Sequence, residues 1–121
     1  MSQPLCRRFR NEDAPATASP IDPGRIVSGS PEACVRNGYS SSDDRRHVGL
    51  WDCSPGSWRV SYDEWEYCLI LSGKVRLTGD DNTVIEASAG DSLVLEPGYS
   101  GVWEVLEPTR KLYVIDLDSA I

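Results

Sequence analysis

The sequence predicts an all-β protein, an antiparallel sandwich or barrel. Three observations predict it. From residue 57 onward the chain is a succession of short β-forming runs, each closed by Gly, Pro, Asp or Ser. The turn signals recur about every 8–12 residues, the spacing of a β sandwich or barrel. No long segment carries the 3.6-residue period of a helix.

The elements follow in order. Residues 1–25 differ from the rest. Pro4, Pro15, Pro20 and Pro23 interrupt any regular element. This stretch is expected to be an arm, either disordered or laid along a neighbouring surface, and residues 26–121 a single barrel domain. Residues 25–42 carry only short apolar pieces, Ile26-Val27 and Val35. Residues 47–53, HVGLWDC, form a candidate strand, and Ser54-Pro55-Gly56 a turn.

The clearer pattern starts after that turn. Runs at 58–62 and 65–71 follow, the second closed by Ser72-Gly73. Residues 74–78 alternate, with Val75 and Leu77 on one face and Lys74, Arg76 and Thr78 on the other. Gly79-Asp80-Asp81-Asn82 reads as a hairpin loop. Strands are then expected at 83–87, 92–96, 102–106 and 111–117, separated by Ala89-Gly90-Asp91, Pro97-Gly98 and Glu107-Pro108.

The chain has 121 residues, enough for one core. Its formal charge of -7 repels phosphate backbones, so no nucleic-acid partner is expected. The candidate basic clusters are Arg7, Arg8 and Arg10, and the pair Arg45-Arg46, which Asp43-Asp44 offsets. No run approaches the roughly 20 apolar residues of a membrane span, and the N-terminus has no secretory core. Cys6, Cys34, Cys53 and Cys68 form no CxxC pair, which argues against a zinc ribbon or a thioredoxin-type motif. They read as reduced thiols of a cytoplasmic protein.

Two motifs carry a resemblance. The first runs from Glu66 to Val75, EYCLILSGKV, with its Gly at Gly73. The second runs from Gly90 to Gly98, GDSLVLEPG, opening on Gly-Asp and closing on Pro-Gly. In order and at this separation they resemble the two motifs of the cupin superfamily. The resemblance implies an antiparallel double-stranded β-helix, the RmlC-like jelly-roll barrel. More closely, the chain is similar to the small cupins grouped with the (S)-ureidoglycine aminohydrolase cupin domain (DUF861). Trp58-Arg59-Val60, residues 64–68, Trp103-Glu104-Val105 and residues 110–113 carry that match, which covers roughly residues 45–117.

The resemblance also sets a test for metal. Metal-binding cupins place His-x-His before the first-motif Glu and another His in the second motif. Here those positions fall on Arg59 and Ser61, or Val60 and Tyr62, and near Gly101. The one histidine, His47, lies well upstream. Glu66 alone is not a site for a transition metal, so no metal and no cofactor are expected. The ureidoglycine hydrolase reaction, which depends on a metal, loses its support with the ligands.

Alternation puts Tyr62, Glu64, Glu66, Cys68 and Ile70 on one face, and the resemblance turns that face inward. Tyr99, Gly101, Trp103 and Val105 share the face of the second motif's missing histidine. The candidate ligand-binding residues are therefore Arg59, Tyr62, Glu64, Glu66, Cys68, Tyr99, Trp103 and Lys111. Glu66 is the candidate catalytic acid or base, because a buried glutamate without a cation is pushed toward its neutral form. Each has a plainer role beside it. Glu66 can pair with Arg59, Arg110 or Lys111. Cys68 can be a small buried hydrophobe, His47 an ordinary strand residue, and Trp58, Trp65 and Trp103 core or interface aromatics. Lys111 can point outward.

Three functions remain. The leading one is a barrel that binds a small polar or acidic metabolite. An alternative is an enzyme acting on ureido, amino or hydroxy acids through Glu66. The third is a non-catalytic subunit, with homodimerisation expected for a barrel carrying such an arm and such tryptophan-rich strands.

Overall fold

The computed structural model describes residues 4–117. Among these residues nine strands form: β1 (Thr17–Ala18), β2 (Ile26–Gly29), β3 (Ala33–Ser40), β4 (Arg46–Cys53), β5 (Gly56–Ser61), β6 (Trp65–Gly79), β7 (Val84–Ser88), β8 (Ser92–Leu95) and β9 (Ser100–Asp116). All the pairings are antiparallel. Among the described residues no helix is long and apolar enough to cross a membrane.

Two long strands organise the barrel. β6 and β9 pair along most of their lengths, from Trp65↔Asp116 to Gly79↔Gly101. Each spans what the sequence presents as two strands, because the turn signals inside them make a corner rather than a reversal. At that corner Gly73 adopts φ +92°, and a Cβ there would strike the Pro108 carbonyl oxygen and lie 2.5 Å from Thr109 Oγ1. The register shifts between Ile70 and Val75 absorb the bend. Pro108 sits opposite, where the ladder is already broken.

The corner divides the sheet into two facing layers. Beyond it, the outer half of β9 pairs with β4, and the first half of β6 with β8. Before it, the first half of β9 pairs with β5, and the second half of β6 with β7. β3 and β1 extend the first layer, and β2 the second. This is the expected jelly-roll barrel.

Between the layers lies a core in which Trp103, Ile70, Val75, Val105 and Cys68 are fully buried. The alternation expected on β6 holds: Glu66, Cys68 and Ile70 are buried between more exposed neighbours. Trp103 and Val105 face the same interior from β9.

The N-terminal arm lies along the barrel itself. Phe9 stacks on Tyr39 with ring centroids 5.6 Å apart. Arg36 donates to the Ala14 carbonyl at 2.8 Å. β1 then joins the edge of one layer and β2 the edge of the other, so residues 19–25 cross from layer to layer as a strap. Ile21 on this strap packs against the core.

Candidate functional site

Under the strap is a cavity of about 480 Å³. Its lining combines strap residues, among them Ile21, Asp22 and Arg25, with inward side chains of β4, β5, β6 and β9. Arg59, Tyr62, Glu64, Glu66, Trp103 and Lys111, six of the eight expected ligand-binding residues, line it. Cys68 is completely buried in the core cluster, and Tyr99 stacks edge-on against Tyr62 at 6.3 Å; neither is part of the lining. A second hollow, about 770 Å³, holds Cys34, Cys53, Thr109 and Arg110 and none of the expected residues. It is the larger space, but buried opposite charges converge only in the first.

Lys111 and Glu66 form that charged centre. Ile70 pairs with Lys111 across β6 and β9, while Glu66 pairs with Ile115, so both long side chains enter the same interior. Lys111 Nζ donates to Glu66 Oε2 at 2.9 Å, and each side chain is 7% exposed. The same ammonium sits 4.3 Å from the Trp103 ring centroid and 4.7 Å from that of Trp51. The rings stand edge-to-face at 6.0 Å. Cation–π attraction is strongest where water is excluded, as it is here.

The electrostatics follow from this packing. Burial, the largest single influence, depresses the Lys111 pKa, but the Glu66 carboxylate together with Tyr62 and Cys68 outweighs it and holds the value above that of an ordinary lysine. Lys111 is therefore an ammonium at neutral pH and not a nucleophile. Of the three cations that the sequence offers Glu66, Lys111 is the one in contact with it. Burial also raises the Tyr62 phenol; Lys111 opposes that shift, while Glu66 and Glu64 add to it. Burial pushes the thiols of Cys53 and Cys68 up to about 11.

The other cations named as partners for Glu66 are engaged elsewhere. Arg59 donates to Asp80 at 2.8 Å, and Arg110 to Asp52 at 2.8 Å. His47 hydrogen-bonds Ser40 and the Asp44 carbonyl at the end of β4 while lining the cavity.

The residues do not fit a metal ion. The positions that bear ligands in metal-binding cupins carry Arg59, Ser61, Val60, Tyr62 and Gly101. Glu66 Oε2 already holds an ammonium. Among the described residues no three His, Cys, Asp or Glu side chains gather where one ion would touch them. What the site does provide is a fixed ion pair, aromatic walls from Trp51, Trp58, Trp103, Tyr62 and Tyr113, and one carboxylate oxygen, Glu66 Oε1, with no donor among the described residues.

Trp51 and the strap are among the lining residues absent from the expected set, as are Asn37, Tyr113 and Ile115. Alternation on residues 47–53 puts His47, Gly49, Trp51 and Cys53 on one face, but only the register Trp51↔Lys111 shows which face is inward. Gly49 belongs to the same design, since a Cβ there would overlap the Tyr113 hydroxyl, which donates to Asn37 Oδ1 at 2.7 Å.

Comparison with known proteins agrees with this fold. The family model described as the EutQ-like cupin domain matches residues 40–113. A protein of unknown function of the DUF861 family from Pseudomonas syringae superposes with a TM-score of 0.77 at 23% identity, over 84% of this chain. The chain spans only 44% of that protein's length. The EutQ protein of Clostridium difficile superposes with a TM-score of 0.65 at 15% identity, over 91% of this chain and 74% of that one. A DUF861 family protein from Thermotoga maritima is 36% identical over 53% of this chain and 73% of its own, with a TM-score of 0.52. No curated protein matches the chain in sequence.

Proposed function

The chain belongs to the EutQ-like cupin domain family, and from that premise we propose that its barrel is a binding site for a small polar metabolite, organised by Lys111 and Glu66 in place of a metal ion. One observation carries the reading: a desolvated ion pair 2.9 Å apart on the wall of a 480 Å³ cavity. A buried ion pair is seldom the most stable filling of a core, because desolvating both charges costs several kcal/mol, so it is weak support for a purely structural role. The cavity volume suits a small molecule, and a mainly apolar wall with a few convergent polar groups is the usual make-up of such sites.

The test is a thermal-shift screen of small acids, amides, amines and sugars against the wild type and the double variant Glu66→Leu with Lys111→Met. A ligand that stabilises the wild type and loses its effect in the variant supports the proposal. No stabilisation by any compound overturns it.

Catalysis at Glu66 is the alternative use of the same cavity, supported by the uncommitted Oε1 beside a proton-bearing ammonium. Turnover of a ureido, amino or hydroxy acid that is abolished in Glu66→Gln would establish it.

A further inference from the structure

The polarity of the cavity lining favours one orientation of ligand, and this inference rests on the binding function proposed above. Six charged side chains line the cavity: Asp22, Glu64, Glu66, Arg25, Arg59 and Lys111. Most of the positive charge is already used. Lys111 is held by Glu66 and covered by the faces of Trp51 and Trp103. Arg59 is bound to Asp80. Arg25 is left without an ion-pair partner among the described residues, and it is exposed on the strap at the rim.

The negative charge is distributed differently. Glu66 keeps Oε1 uncommitted. Glu64, half-buried, makes no side-chain hydrogen bond or ion pair among the described residues. Tyr62, Glu64 and Glu66 line the same cavity. The walls add the electron-rich faces of indole and phenol rings, which attract cations. Trp103 Nε1, a donor that would favour an anion, is sealed off and unpartnered. The interior is thus rich in acceptors, and the free cation lies outside, where water screens it.

We propose that the cavity takes its ligand nitrogen-first. A cationic amine or similar N–H donor enters to meet Glu66 Oε1 and Glu64 among Trp51, Trp58 and Tyr62. An acidic tail, where the ligand has one, remains at the rim near Arg25. This narrows the polar or acidic metabolite of the sequence reading to a basic or dipolar one.

Matched probes test the inference. Butylammonium and butyrate have the same chain length and opposite charge, and the cavity tryptophans report either through intrinsic fluorescence. Butylammonium is expected to saturate the fluorescence change and butyrate to bind at least tenfold more weakly. Glu64→Gln keeps the side chain's size and leaves the Lys111–Glu66 pair intact. It is expected to weaken butylammonium about tenfold, the loss of one charge-assisted hydrogen bond. Butyrate binding as tightly as butylammonium would overturn the orientation while leaving the binding function standing. Unchanged butylammonium affinity in Glu64→Gln would do the same. No response to either probe would also overturn this inference, and the broader thermal-shift screen would then decide the binding function separately.

Discussion

Lys111 on β9 and Glu66 on β6 meet inside the barrel at 2.9 Å, each 7% exposed, with the Trp51 and Trp103 rings against the ammonium. This pair decides what Glu66 can do. A carboxylate beside a permanent ammonium is neither a lone buried acid nor an open metal ligand.

Breaking the pair from one side is expected to be costly. Lys111→Met leaves a desolvated carboxylate without its cation, a loss of about 3–5 kcal/mol. The double variant Glu66→Leu with Lys111→Met removes both charges and is expected to recover most of that loss. Urea denaturation of the three proteins checks this. A double variant as unstable as the single would mean that the pair is not an isolated electrostatic unit.

Metal content follows from the same contact. Protein purified without added metal is expected to contain well under one equivalent of Mn, Fe, Ni or Zn by plasma mass spectrometry. A near-stoichiometric ion would show that Glu66 exchanges Lys111 for partners that this geometry does not supply.

The thiols are expected to separate by position. Cys6 is exposed, whereas Cys53 and Cys68 are buried with thiols pushed up to about 11 by desolvation. A disulfide reagent at pH 8 is expected to modify Cys6 rapidly, and Cys53 and Cys68 only after unfolding. Rapid modification of all the thiols in the native protein would contradict this placement.

Stability is expected to fall on the alkaline side. The pKa values of Cys53 and Cys68 are raised from 9.0 to about 11, so between these values the folded state holds protons that the unfolded state releases. Their contribution is complete below pH 9 and is lost as pH climbs toward 11, at up to about 1.4 kcal/mol per pH unit for each thiol. Lys111, also raised, acts in the same direction above 10.5. Denaturant midpoints at pH 8, 9.5 and 11 should decline in order; a flat profile would refute the buried titrations.

The corner of the barrel is expected to tolerate only glycine at position 73. Gly73→Ala places a side chain at φ +92° and against the Pro108 carbonyl. The backbone strain alone costs about 1–3 kcal/mol, and the overlap adds to it. A melting temperature matching the wild type would mean that the corner relaxes more than this packing suggests.

The sequence by itself determined the strand-rich class, the two motifs that frame the barrel, and the shared faces of Glu66, Cys68 and Ile70 and of Trp103 and Val105, which the family resemblance then turns inward. These features are local: alternation has a period of two, and Gly or Pro marks a turn wherever it falls. Tertiary structure decided the rest. Gly73 and Glu107-Pro108 signal turns in either case, but only the pairing of β6 with β9 makes them one corner of two continuous strands. The sequence offers Arg59, Arg110 and Lys111 equally as partners for Glu66. The choice falls on Lys111 because β9 carries it across the interior, while Asp80 and Asp52 hold the two arginines elsewhere. Trp51 and the strap at 19–25 enter the site through long-range register and through β1 and β2 joining opposite layers. Such contacts join residues far apart in the chain, so no local pattern encodes them.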